Sequence, residues 1–119
     1  MAKRHNIVFE QSATFQHTVT WKEPDGDAID LTGYRVRMQV RQSPTASTTL
    51  LDFDSDDLGA GMSISTLDET GSFTITFAPA VTEALSFTGA EYDLTATSPG
   101  GIVYRLHEGK ASVSLGVTR

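Results

Sequence analysis

The chain has 119 residues, no cysteine, and 15 acidic against 9 basic residues, for a formal charge of −6. The missing cysteines exclude a disulfide framework, a thiolate zinc site and thiol catalysis. The acidity argues against nucleic acid as a partner, because binding it rests on Lys and Arg neutralising phosphates.

No apolar run approaches the ~20 residues of a membrane span, so no membrane partner is expected. The start, MAKRHNIVFEQ, is basic but lacks the apolar segment of a signal peptide. It turns directly into an alternating pattern, which fits synthesis in a cytoplasm without a cleaved signal. The length fits one domain over 1–119.

Alternation of apolar and polar residues at period two marks half-buried strands, since successive side chains point to opposite faces. His5 to Glu10 reads as a first strand with Ile7 and Phe9 on one face. Thr14 to Trp21 follows, with Phe15, His17, Val19 and Trp21 on one face and Trp21 as a candidate core residue. EPDGDAID is turn-rich, and Asp25-Gly26 suits positive φ. Gly33 to Gln42 places Val36, Met38 and Val40 opposite Arg35, Arg37 and Arg41.

SPTAS breaks that strand, because Pro44 removes a ladder donor. Thr48 to Phe53 resumes with Leu51 and Phe53 inward, and DSDDLGAG is a polar loop. Met62 to Leu67 is a short strand with Ile64 inward, and 68–71, DETG, is a turn. Ser72 to Ala78 alternates Phe73, Ile75 and Phe77 with Thr74 and Thr76.

The one helical turn is expected over Pro79 to Leu85, where proline suits a first helical position and Val81 and Leu85 share a face. Ala90 to Ser98 points Tyr92, Leu94 and Ala96 inward. SPGG turns the chain into Ile102 to His107, with Ile102, Tyr104 and Leu106 on one face. Glu108-Gly109 reads as a tight turn before a last strand, Lys110 to Val117, that faces Ala111, Val113 and Leu115 inward. Short strands at regular spacing with turns between them predict an all-β, antiparallel, immunoglobulin-like sandwich of about eight strands.

Nothing in the chain spells a catalytic motif. There is no nucleophile elbow, P-loop or HExxH, so no enzyme activity, cofactor or metal is expected. His5, His17 and His107 fall on three separate predicted strands. Asp52, Asp54 and Asp56 alternate like the start of an EF-hand, but the sixth position is Asp57 instead of glycine and the twelfth is Ser63 instead of glutamate. That loop reads as solvated acid, with a weak calcium site as the alternative. Glu23, Asp25, Asp27 and Asp30 lie in a turn, where aspartates bond their own backbone.

The candidate partner surface is therefore charged. Arg35, Arg37 and Arg41 put a third of the basic residues on one strand face. They form either a solubilising face or a docking face for an acidic partner, since the planar guanidinium favours two-pronged contacts. The acidic residues Asp52, Asp54, Asp56 and Asp57 are the second candidate, and the basic termini MAKRHN and GVTR the third.

Three segments, ATFQHTVTW, GDAIDLTGYRVRMQVR and AEYDLTATSPGGIVYRLHEGKASVSLGVTR, together resemble a group of small proteins. These are encoded among virion structural genes of tailed phages and prophages of Gram-negative hosts. The most distinctive pieces are Asp30-Leu31-Thr32-Gly33-Tyr34, Tyr92-Asp93-Leu94 and the terminal Val117-Thr118-Arg119. The group is similar to immunoglobulin-like modules at phage tail tips, baseplates and collars, and to the N-terminal attachment domains of upper baseplate proteins. The resemblance implies a non-enzymatic virion protein that binds other virion proteins, as a homo-oligomer or ring. A capsid decoration or head-to-tail protein and a calcium-assisted carbohydrate binder are the alternatives.

Overall fold

Two sheets stack face to face in the computed structural model, which describes residues 3–116. The strands are β1 (Lys3–Arg4), β2 (Ile7–Glu10), β3 (Phe15–Thr20), β4 (Arg35–Arg41), β5 (Thr49–Asp54), β6 (Met62–Ile64), β7 (Ser72–Phe77), β8 (Ala90–Thr97) and β9 (Val103–Ser114). One sheet runs β1-β9-β8-β4-β5 with β2 also on β9, and the other runs β3-β7-β6. The chain is an all-β sandwich with one short helix, α1 (Pro79–Glu83).

The apolar halves of the alternating strands meet in the middle. Val36, Met38 and Val40 of β4 are fully buried, as are Phe53 of β5, Leu94 and Ala96 of β8, and Ile75 and Phe77 of β7. Phe77 is the hub of an aromatic cluster, with ring centroids 5.5 Å from Phe15, 5.9 Å from Phe53 and 6.2 Å from Phe9. Each fully buried side chain of this size contributes roughly 1.5–3 kcal/mol by leaving water.

Turn chemistry follows the sequence. Asp30 Oδ1 accepts bonds from the Thr32 amide and hydroxyl, at 3.0 and 2.7 Å. Gly33 then takes positive φ, at 81°, a conformation glycine adopts without steric cost. The distinctive DLTGY stretch is thus a turn that delivers fully buried Leu31 to the core just ahead of β4. Asp25 Oδ1 accepts the Asp27 amide at 2.9 Å around Gly26, at φ 95°.

Four expectations are corrected. First, Glu108-Gly109 is not a turn: β9 continues through it for 12 residues. Gly109 is there because backbone crosses above it, and a Cβ would sit 2.6 Å from the His5 carbonyl oxygen. Second, the N-terminal strand is not a single antiparallel element. β1 and β2 both pair parallel with β9, with Lys3 opposite His107 and Ile7 opposite Ala111.

Third, some expected inward residues face water. Ile102 and Leu115 are exposed, and Trp21 is half-buried at the rim, where its ring lies 5.1 Å from that of Tyr104. Fourth, β6 stops at Ile64 and α1 at Glu83, each shorter than the pattern suggests. Met1-Ala2 and Val117-Thr118-Arg119 lie outside the described residues, so the expected contacts of the extreme termini do too.

Candidate functional site: a two-signed charged sheet face

The polar halves of β4, β5, β8 and β9 share the outer face of the larger sheet. Register decides which charges meet. Arg37 lies opposite Asp54 on β5 and Thr95 on β8, Gln39 opposite Asp52 and Asp93, and Arg41 opposite Thr49 and Glu91. Cross-strand neighbours of opposite sign attract, and the face is built from such neighbours.

Arg35 and Asp54 form its tightest element. Arg35 donates to Asp54 through Nε, at 2.9 Å, and through Nη2. This two-pronged pairing is the geometry a guanidinium favours with a carboxylate. Arg35 Nε also lies 3.6 Å from Asp56 Oδ2. Arg37 Nε lies 3.8 Å from Asp54 Oδ2, too far for a hydrogen bond. The Arg35 bond, helped by the Asp56 amide and the charge of Arg37, holds the Asp54 carboxyl below its ordinary range, and the same bond raises Arg35. Asp56 is held by its amide on Asp54 Oδ1 at 3.0 Å, and Ser55 Oγ accepts the Val36 amide at 2.9 Å.

Arg41 is anchored differently. Its Nη1 donates to the Ala46 carbonyl at 2.8 Å and its Nη2 to Gln39 Oε1 at 3.1 Å. Next to it, Arg105 Nε lies 3.4 Å from Asp93 Oδ2, its Nη1 lies 3.3 Å from Glu108 Oε1, and Lys110 Nζ lies 3.6 Å from Glu91 Oε1. A recess of about 360 Å3 opens between these groups, lined among others by Arg4, Arg41, Glu91, Asp93 and Arg105.

The structure therefore brings most of the candidate residues together. Arg35, Arg37, Asp54 and Asp56 form one ionic cluster. Asp52 stands exposed on β5, and Asp57 is exposed in the following loop, its amide on the Asp54 carbonyl at 3.1 Å. The side chains of Arg35 and Arg37 stay 43% and 41% accessible, so the internal pairs leave room for a partner. Among the described residues no three His, Cys, Asp or Glu side chains are arranged to hold a metal ion.

One grouping escaped the sequence reading. His5, His17 and His107 converge, with His17 Nε2 and His107 Nδ1 3.0 Å apart. The only sequence signal was His17 on the apolar face of an alternating strand, where a hydroxyl or aliphatic residue is commoner. Its partners come from chain segments 12 and 90 residues away, and nothing local links them. The chain matches no known protein family model and none of the curated proteins.

Proposed function

We propose that this protein is a non-enzymatic structural protein of a tailed-phage virion, an assembly module of the tail tip, baseplate or collar. It would dock on other virion proteins, including further copies of itself, through the outer face of the larger sheet. The observation that carries the reading is the ordered, two-signed lattice around Arg35, Arg37, Arg41, Asp52, Asp54, Asp56 and Asp57. The three arginines stand on β4 and Asp52 and Asp54 on β5, with Asp56 and Asp57 in the loop that follows, and Arg35 and Arg37 remain half-exposed.

Alternating signs on a fixed backbone favour one register of a complementary surface over others, which is how charge confers specificity on an interface. The resemblance of DLTGY, YDL and VTR to phage virion proteins supplies the setting. The strand edges support it as well. β5 ends the larger sheet and β3 and β6 end the smaller one, so main-chain pairing with a neighbour is open to the module.

Light scattering behind a sizing column tests self-assembly. The expected result is a discrete oligomer that dissociates as salt rises from low to moderate concentration, since exposed ion pairs are screened within about 8–10 Å at those strengths. A monomer at every salt and protein concentration would overturn docking between copies.

A further inference from the structure

The three histidines sit on the seam between the two sheets. His107 is on β9 of the larger sheet, His5 on the link between β1 and β2, and His17 on β3, the edge strand of the smaller sheet. Their ring centroids are 5.2 to 5.7 Å apart. The recess in front of them measures about 370 Å3 and is lined by Lys3, Gln16, Thr18 and the rings.

Two of the three are firmly placed. The His5 amide donates to the Glu108 carbonyl at 2.8 Å, and the His5 carbonyl accepts the Tyr92 hydroxyl. His107 is locked in β9 opposite Leu94. His17 reaches them from the other sheet, buried, stacked at 6.3 Å on Phe15 and opposite Ile75.

The His17–His107 bond needs one bare ring nitrogen, because a neutral imidazole offers one donor and one acceptor and an imidazolium offers two donors. If both rings are protonated, two N–H groups face each other across 3.0 Å. We propose that His5, His17 and His107 form a proton-operated latch: the neutral rings hold β3 against the β1–β9 edge, and protonation opens that seam.

The surroundings offer no relief for the charged state. β1 presents Lys3, a cation. β3 presents the uncharged Gln16, Thr18 and Thr20, while β7 and β8 present Ile75 and Leu94 at the paired positions. The Glu108 carboxylate, next in sequence to His107, is turned to Arg105. Burial, then the neighbouring His107 and His5, push His17 down to about 4, and burial, His5 and Lys3 hold His107 below its ordinary value.

The unfolded-state value lies near 6.5. A histidine whose folded value is depressed contributes its full stability above the unfolded value and loses it as pH falls. The latch is therefore closed above about pH 6.5 and weakens between there and 4.

Histidine ring NMR from pH 8 to 4, in EDTA and alongside urea unfolding, tests this. The expected result is that His17 and His107 titrate clearly below 6.5, and that the unfolding constant rises on the order of tenfold between pH 6.5 and 5. In His17→Phe that rise shrinks to the part that His107 contributes. Should His17→Phe fail to fold, His107→Gln, at a half-buried position, should move the His17 titration up towards its ordinary value and reduce the rise. His17 and His107 both titrating near 6.5, or a full rise retained in both variants, would overturn the latch.

Discussion

Gly109 is held to glycine by space, not by a turn. Its missing Cβ lets the His5 carbonyl and the Asn6 side chain cross β9, and Asn6 Oδ1 accepts the Lys110 amide at 2.9 Å. Gly109→Ala would place a methyl 2.6 Å from the His5 carbonyl oxygen, which accepts the Tyr92 hydroxyl in a residue whose amide is itself bound to the Glu108 carbonyl. The expected cost is about 1–3 kcal/mol, in the range of overpacking changes, read as a lower urea midpoint. An unchanged midpoint would show that the crossing yields. Thr82 makes a complementary case. It is fully buried in α1 and its hydroxyl donates to the Ala13 carbonyl at 2.8 Å, tying the helix to the crossover between the sheets. Thr82→Val keeps the shape and removes the bond, at an expected cost of about 1–2 kcal/mol in a denaturant melt. The sequence marks Gly109 as special but misassigns the reason, because Glu-Gly between two alternating runs looks the same whether the chain turns or is crossed.

At the scale of elements, the last strand shows how a correct observation led to a wrong element. Buried positions are even at Leu106 and odd at Gly109 and Ala111. A change of phase requires either a turn or an extra residue, and the turn was the expected solution. The structure uses the extra residue. Leu94 pairs with His107 and Thr95 with Arg105, which leaves Leu106 unopposed as a β-bulge, and β9 runs straight on. β4 had no such ambiguity. Its alternation holds from Arg35 to Arg41 without a break, and both its apolar and its basic faces were legible. What local sequence did not reveal was that Arg35 and Arg37 share Asp54, since that depends on the β4–β5 register. Two expectations follow for this element. Arg37→Glu removes a half-exposed cation and should cost less than ~1 kcal/mol in a thermal melt; a collapsed melt would mean the guanidinium is needed within the fold. With Asp54 committed to arginine, millimolar EDTA should leave the melting temperature unchanged, because only a ligand that binds the folded state raises it. A drop on chelation would restore the calcium reading of the Asp52–Asp57 loop.

At the scale of the molecule, the sandwich was legible and its wiring was not. A sandwich of about eight strands follows from the periodic segments and the turns between them; the described residues form nine, because the N-terminal stretch divides into β1 and β2 while the last two expected strands run together as β9. The parallel docking of β1 and β2 on β9 joins the two ends of the described chain, and no local pattern encodes a pairing over about 100 residues. The same closure assembles the histidine latch and completes the charged face, where Arg4, from β1, lines a recess with Arg41, Glu91 and Arg105. Assembly through that face would show itself in incorporation into particles. Phage particles would be purified from a host in which the native gene is replaced by wild type or by Arg37→Glu/Arg41→Glu, and the protein quantified in them by mass spectrometry. The expected result is a fixed copy number for the wild type and a folded variant left behind in the soluble fraction. A variant incorporated at the wild-type level, or a wild-type protein absent from the particles, would contradict it.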